Sequence, residues 1–240
     1  MTAETIELVF ARCRPACAAR LRDLARYRDD FARFGGAAPS PRFEQDWFPR
    51  LDAAMAYALV RERRPRRIVE VGSGHSSRVM ARAIVDGNLA ADFTAIDPQP
   101  RAPLAGLSIR HIDRRLQEVP AAMFAALKAG DILFIDSSHK LTPGSDVDLL
   151  VNQILPAIPA GVLVHIHDIF LPGGYPASWS WRNYNEQGAV AALFQGGGWA
   201  PIFASSFVLS QMAGEFAESI AAGLPLPAGA IESSLWLEKS

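Results

Sequence analysis

The sequence lacks the features typical of proteins that span a membrane, bind nucleic acid or depend on disulfides. It has only two cysteines, Cys13 and Cys17, and no further Cys or nearby His completes a disulfide framework or a metal site. No apolar run approaches the roughly 20 residues of a membrane helix, and the N-terminus shows no signal-peptide pattern. The formal net charge is -1, which gives no general attraction to nucleic acid or anionic lipid. We therefore expect a cytoplasmic protein without a nucleic-acid or membrane partner.

The sequence does contain enough apolar material for one substantial core. Half of its 240 residues are hydrophobic, and this length corresponds to one large domain or one domain with a modest extra segment. The first 34 residues have helical periodicity, and a stretch rich in Gly and Pro at residues 35–41 interrupts it. We therefore predict an N-terminal helical accessory segment over residues 1–40 and a main domain over residues 41–240.

One stretch combines a buried strand, a glycine turn and the start of a helix. The apolar run Ile68–Val71 breaks at Gly72 and Gly74, where glycine permits positive φ and leaves room for a ligand to approach the backbone. Glu70 lies inside this strand, where an ordinary buried strand would carry another aliphatic residue, and Asp97 ends the next apolar strand. A carboxylate at that position can accept both hydroxyls of a ribose, so the pattern indicates a cofactor that contains a nucleoside.

Each of the two acids also has a purely structural interpretation. Glu70 could cap nearby backbone amides, and Asp97 could be a turn acid before Pro98.

Strand and helix patterns alternate along the chain, which predicts an α/β fold with a parallel sheet and right-handed crossovers. The acids that close successive strands then meet at the carboxyl edge of the sheet, where such folds bind ligands. The last two strands could form an edge pair. The predicted strands are Ile68–Val71, Phe93–Asp97, Leu107–Ile112, Asp131–Asp136, Gly161–Asp168, Ile202–Leu209 and Ser234–Glu238.

From about Leu51 to the C-terminus, the sequence resembles the class I S-adenosylmethionine-dependent methyltransferases. The family's acid followed by Gly-x-Gly matches Glu70, Gly72 and Gly74, and its strand-closing acids match Asp97 and Asp136. Ser76 stands at the third glycine position of the family. Three further stretches resemble a bacterial subgroup related to enzymes that tailor sugars or secondary metabolites. They are Ile135–His139, His165–Phe170 and Trp181–Gln187.

This resemblance implies a Rossmann-like seven-stranded sheet with helices on both faces and an antiparallel C-terminal edge strand. It also implies S-adenosyl-L-methionine as the cofactor. Glu70 would receive its amino group directly or through water, Asp97 its ribose hydroxyls, and Asp113 its adenine amine. The expected cofactor-binding residues are Glu70, Gly72, Ser73, Gly74, Ser76, Asp97, Asp113 and Asp136.

On the acceptor side, the resemblance brings Asp136, His139, His167 and Asp168 together above adjacent strand ends. Two hypotheses remain open for them. In the first, Asp136, His167 and Asp168 bind a divalent metal ion, although His167 differs from the oxygen-rich pairs of metal-dependent relatives. In the second, His139 or His167 is a general base that takes the proton of the acceptor hydroxyl.

These observations predict a methyltransferase (EC 2.1.1.-) that methylates a small molecule, with oxygen as the expected acceptor atom. Trp179, Trp181, Tyr184 and Tyr175 could line its acceptor pocket. One alternative is an NAD(P)-dependent oxidoreductase, which would normally carry glycine in place of Ser77. Another is a non-catalytic nucleotide-binding protein. The sequence leaves open whether the chain forms a homo-oligomer.

Overall fold

The structure, a computed structural model, describes residues 3–240 and contains one seven-stranded sheet. Met1 and Thr2, which belong to the predicted N-terminal helix, lie outside the described residues. The strand order across the sheet is β3-β2-β1-β4-β5-β7-β6. The strands are β1 Arg67–Val71, β2 Asp92–Ile96, β3 Arg110–Ile112, β4 Ile132–Ile135, β5 Leu163–Ile166, β6 Trp199–Ala204 and β7 Leu235–Lys239.

The pairing of the strands confirms the predicted Rossmann-like fold class. Strand β1 lies in the interior of the sheet and pairs in parallel with β2 and β4, so Val71 stands beside Ile96 and Ile135. Strand β7 is antiparallel to both β5 and β6. It therefore lies inside the sheet, and the edge position belongs to β6.

The sequences of these last two strands explain their positions. Residues Leu235 to Leu237 of β7 are fully buried, so the strand needs a neighbour on each side. Strand β6 is half-exposed over most of its length and contains Pro201, which lacks a backbone N–H and is tolerated at a sheet edge.

Helices cover the sheet and connect its strands. They are α1 Ala3–Asp23, α2 Arg28–Phe31, α3 Arg50–Arg63, α4 His75–Asp86, α5 Ala122–Ala125, α6 Asp146–Leu149, α7 Leu155–Ala157, α8 Gln187–Leu193, α9 Ser205–Gln211 and α10 Ala213–Ala217. A π-helical stretch, Leu150–Ile154, joins α6 to α7. Within residues 3–240, no helix is both long and apolar enough to cross a membrane.

Four strands are shorter in the structure than the sequence pattern predicts, those predicted at residues 107–112, 131–136, 161–168 and 202–209, and two of them differ for an identifiable reason. The apolar run Ile202–Leu209 is strand only to Ala204, and Ser205 then begins α9. A short apolar run fits a buried strand and a buried helix equally well, which explains the error. The third strand begins at Arg110 rather than Leu107, because the Leu107 N–H donates to the Leu104 carbonyl in a turn.

Helix α1 packs against the same core as the sheet. Phe10 and Cys17 are fully buried, and the Phe10 ring lies 5.9 Å from that of Phe194 and 5.7 Å from that of Phe207. The boundary predicted at residue 40 remains a prediction.

Candidate active site at the carboxyl ends of the strands

A cavity of about 560 Å³ opens at the carboxyl ends of β1, β2, β4 and β5. Its volume lies within the usual range for small-molecule sites, and its position is where open α/β sheets bind ligands. Glu70, Gly74 and Asp113 do not line it. The predicted site residues that do line it are Gly72, Ser73, Ser76, Asp97, Asp136, His139, His167 and Asp168.

The glycine turn brings the ends of β1 and β4 into contact. Gly72 has a φ of +81°, and a Cβ at this position would collide with the backbone carbonyl of Asp136. The Asp136 N–H in turn donates to the Val71 carbonyl at 2.8 Å. Glycine is therefore needed at position 72 because the end of β4 packs directly against it, whether or not a ligand is bound. The same close packing places Asp136 beside the turn.

Glu70 is fully buried beneath the turn and contacts two serines. Its two carboxylate oxygens accept hydrogen bonds from Ser76 Oγ and Ser77 Oγ, each at 2.6 Å. Ser77 Oγ also accepts from the Gly74 N–H at 2.9 Å. Burial raises the pKa of Glu70 to about 8, although the two serine hydrogen bonds oppose this effect. Because Ser76 lines the cavity and Glu70 does not, Glu70 can act on a ligand through Ser76.

Asp97 closes β2 and holds the turn from the other side. Its Oδ2 accepts from the Ser73 N–H at 2.7 Å and from Ser73 Oγ at 3.1 Å, and its Oδ1 accepts from the Gln99 N–H at 2.7 Å. Asp97 also lines the cavity, so the structural and the ligand-binding interpretations are compatible. Asp113 is exposed outside the cavity, and its contact with adenine stays a prediction.

Beyond the turn, five ionisable side chains form what we call the acid–histidine cluster: Asp136, His139, His167, Asp168 and Glu186. His139 Nε2 lies 3.2 Å from Asp136 Oδ1 and 3.5 Å from Asp168 Oδ2, and His139 Nδ1 lies 2.5 Å from Glu186 Oε1. His167 Nε2 lies 3.7 Å from Asp168 Oδ1. The structure thus brings together the four residues predicted for the acceptor side and adds Glu186.

The backbone and one further hydroxyl fix the geometry of this cluster. His139 and Asp168 adopt left-handed conformations, with φ of +60° and +55°. Ser233 Oγ donates to Asp168 Oδ1 at 2.9 Å, and Ser233 precedes β7. Left-handed backbone is uncommon for residues other than glycine, although Asp and His adopt it more often than most, and it tends to persist where the surrounding structure holds it, often at functional sites.

The charges of the cluster compensate one another. Burial disfavours an imidazolium, but the carboxylates of Glu186 and Asp136 raise the pKa of His139 well above its usual value. Asp136, Asp168 and Asp52 raise the pKa of His167 against the same burial. Burial would raise the pKa of Asp136, yet the charge of His167 and the bond from His139 lower it to about 2. Protonated histidines between carboxylates therefore supply the positive charge that adjacent acids need.

This arrangement bears on the metal hypothesis. The His139 ring stands between the carboxylates of Asp136 and Asp168, where a cation bridging the two acids would have to lie. Across residues 3–240, no group of three or more His, Cys, Asp or Glu side chains has a metal-binding arrangement. Ligation of a metal by Asp136, His167 and Asp168 and general-base catalysis by His139 or His167 both stay predictions for experiment.

The aromatic loop after β5 forms one wall of the cavity. Trp179, Arg182 and Tyr184 line it, and the Tyr184 ring packs 4.5 Å from that of His139. Trp181 is 72% exposed and does not line the cavity. Part of the predicted aromatic set therefore faces the space next to the acid–histidine cluster.

We next compared the chain with known protein families and solved structures. Residues 69–169, from β1 to just past β5, match a family model described as a methyltransferase domain. No curated protein sequence matches the chain. The fold is similar to that of the Podospora anserina methyltransferase PaMTH1 solved with bound SAH, at 16% identity over 100% of this chain and 97% of that chain, with a TM-score of 0.50.

A second solved structure is the O-methyltransferase TomG from Streptomyces achromogenes, which is involved in tomaymycin synthesis and was solved with SAM. It is 15% identical over 92% of this chain and 89% of that chain, with a TM-score of 0.45. At such low identities, structural similarity speaks for the fold alone.

Proposed function

We propose that this chain, whose residues 69–169 match a methyltransferase domain model, is a class I S-adenosylmethionine-dependent methyltransferase that methylates an oxygen atom of a small molecule. The observation that carries this proposal is the shared cavity at the strand ends. The glycine turn and Asp97 face one part of it, and the acid–histidine cluster faces another. A methyl donor and a hydroxyl acceptor bound in these two parts would meet near Asp136.

The residues around the glycine turn fit S-adenosylmethionine. Glu70 is a fully buried carboxylate whose hydrogen-bond partners, Ser76 and Ser77, are both neutral. A buried carboxylate is stabilised when a positive charge comes near, which the amino group of the cofactor would provide through Ser76. Asp97 has both oxygens at the cavity end of β2, where ribose hydroxyls could add to its backbone hydrogen bonds. When bound, the cofactor supplies an activated methyl group.

On the acceptor side, the ionised Asp136 carboxylate would accept a hydrogen bond from the hydroxyl, position it, and receive its proton as the methyl group is transferred to the oxygen. Asp136 is the more accessible of the two strand-end acids, with 30% of its side chain exposed against 11% for Asp168, so it is the carboxylate that an incoming hydroxyl reaches first. His139 contacts both Asp136 and Asp168 and fixes the position of Asp136. Positioning of this kind is a large part of what such a transfer requires.

Titration calorimetry tests the proposal against the oxidoreductase alternative. The purified protein is titrated with S-adenosylmethionine, S-adenosylhomocysteine and NAD. We expect the first two to bind and NAD to give no heat of binding, because Ser77 occupies the third glycine position of the dinucleotide motif and is used to hold Glu70. Binding of NAD without binding of S-adenosylhomocysteine would overturn the proposal.

A further inference from the structure

Arg182 lines the cavity without a carboxylate partner. Its Nη1 donates to Tyr184 Oη at 3.0 Å, its Nε is buried with no hydrogen-bond partner, and among residues 3–240 it forms no ion pair. Most half-buried arginines elsewhere in residues 3–240 differ in this respect. Arg50 and Arg61, for example, are paired with Glu232 and Asp30. An arginine left uncompensated at a cavity wall is suited to an anionic ligand.

Aromatic rings cover the faces of this guanidinium group. Its central carbon lies 4.3 Å from the ring centre of Trp179, 5.0 Å from that of Trp181 and 5.5 Å from that of Tyr184. These contacts hold the guanidinium group in place, and because Nε is buried and Nη1 is bonded to Tyr184, Nη2 is the donor that remains for a ligand. A donor that carries the guanidinium charge forms a stronger hydrogen bond with a carboxylate than with a neutral oxygen.

Three other arginines line the cavity, but they lie on its cofactor side. Arg101 follows β2, and its backbone N–H donates to the Ser73 carbonyl of the glycine turn. Arg114 and Arg115 follow β3. Arg182 alone among the cavity-lining arginines belongs to the loop that carries the aromatic wall and leads to Glu186.

Arg182 and the acid–histidine cluster flank the same ring. The guanidinium carbon is 5.5 Å from the centre of the Tyr184 ring, and the centre of the His139 ring is 4.5 Å from it. The two cationic groups therefore lie within about 10 Å of each other. Trp179 and Tyr184 meet edge to face at 85°, and both line the cavity, so their remaining ring surface beside Arg182 can pack against a flat ring.

We propose that the methyl acceptor is a hydroxylated aromatic carboxylate, held with its carboxylate at Arg182, its ring against Trp179 and Tyr184, and its hydroxyl at the acid–histidine cluster. This inference rests on the proposed function and names the substrate class of the same site. Arg182 is then a specificity-determining residue, which contributes to acceptor binding and not to cofactor binding.

The test measures binding to the protein saturated with S-adenosylhomocysteine. The probes are 4-hydroxybenzoate and the longer 4-hydroxycinnamate, each compared with its methyl ester, which keeps the ring and hydroxyl but lacks the charge. We expect at least one acid to bind about tenfold or more tightly than its ester. In Arg182→Gln that preference should vanish with the affinity for S-adenosylhomocysteine unchanged, and Arg182→Lys should retain part of it. The exposed Arg26→Gln, distant in sequence from every cavity-lining residue, is the matched control and should keep the full preference.

The outcomes separate this inference from the proposed function. If the wild-type protein fails to bind S-adenosylhomocysteine, the proposed function is overturned and the inference with it. If it binds S-adenosylhomocysteine but neither acid, or binds acid and ester equally, only the inference is overturned. Persistence of the preference for the acid in a folded Arg182→Gln variant would overturn it as well.

Discussion

At the scale of single residues, Asp97 holds the glycine turn and faces the cavity at once. We predict that Asp97→Ala weakens S-adenosylhomocysteine binding by roughly 10- to 100-fold, the equivalent of about 1.5–3 kcal/mol for a lost charge-assisted hydrogen bond. This loss of affinity includes the effect of leaving the Ser73 N–H without its hydrogen-bond acceptor. Calorimetric titration measures the affinity, and circular dichroism checks that the variant is folded.

Ser73→Ala is the matched control for this prediction. It removes the hydroxyl contact to Asp97 at 3.1 Å and keeps the backbone contact at 2.7 Å, so its effect on affinity should be several-fold smaller. Unchanged cofactor affinity in a folded Asp97→Ala variant would show that the ribose lies elsewhere.

Glu70 gives a prediction that needs no ligand. Its pKa in the folded protein is about 8 against 4.5 for the free side chain, so the folded state keeps a proton that the unfolded chain has released. Glu70 therefore contributes most to stability below pH 4.5, and this contribution is lost as the pH rises through 8. Relative to Glu70→Gln, the ligand-free wild-type protein should lose on the order of 3 kcal/mol in free energy of unfolding between pH 5.5 and pH 8.

Urea unfolding of both proteins at the two pH values measures this difference. Histidines of the acid–histidine cluster also respond to pH, but they are present in both proteins and cancel in the comparison. Parallel pH profiles for wild type and Glu70→Gln would mean that the Glu70 carboxyl titrates alike in the folded and unfolded states.

At the scale of secondary-structure elements, the ends of β4 and β5 place Asp136 and Asp168 on either side of His139. We predict that Asp136→Asn and Asp168→Asn each abolish turnover and leave S-adenosylhomocysteine affinity within about tenfold, or roughly 1.4 kcal/mol. The amide keeps the shape of each side chain and removes the charge that the cluster uses. Steady-state rates together with calorimetry separate the two effects, and full turnover in either variant would remove that acid from the mechanism.

Chelation and substitution of His139 in the same cluster distinguish the metal hypothesis from the metal-free hypothesis. Because His139 already supplies positive charge between the two acids, we predict that turnover survives thorough chelation and that His139→Ala loses at least 100-fold in kcat. Metal analysis of the purified protein accompanies the assay. Loss of activity on chelation, with recovery on adding a divalent ion, would instead support ligation by Asp136, His167 and Asp168.

The elements also show how far the sequence could predict the site. Parallel strands align their carboxyl ends, so acids placed at those ends by sequence alone were expected to meet, and Asp97, Asp136 and Asp168 do lie along one edge. The contact between Glu186 and His139 was not predicted, because the two residues lie 47 positions apart in the sequence and no local sequence pattern indicates such a pairing. The turn conformation at Gly72 was predicted, but its main cause, the β4 backbone, is a long-range contact.

At the scale of the whole molecule, the N-terminal helical region and the sheet share one hydrophobic core. Among residues 4–40, seven side chains are buried in it, even though a break rich in Gly and Pro separates them from the rest of the chain. The buried residues are Ile6, Phe10, Cys13, Cys17, Leu21, Leu24 and Phe31. Sequence marks a break in local structure, whereas the contacts of α1 with β6 are set by tertiary packing.

We therefore predict that a fragment comprising residues 41–240 does not fold cooperatively. The deletion would expose the apolar surface that these seven side chains cover, and each fully buried apolar side chain contributes about 1.5–3 kcal/mol before the entropy cost of ordering the segment is subtracted. Thermal unfolding followed by circular dichroism, with and without S-adenosylhomocysteine, measures the result against the full chain. A fragment that unfolds cooperatively and binds S-adenosylhomocysteine would establish residues 1–40 as an accessory segment and confirm the boundary predicted from sequence.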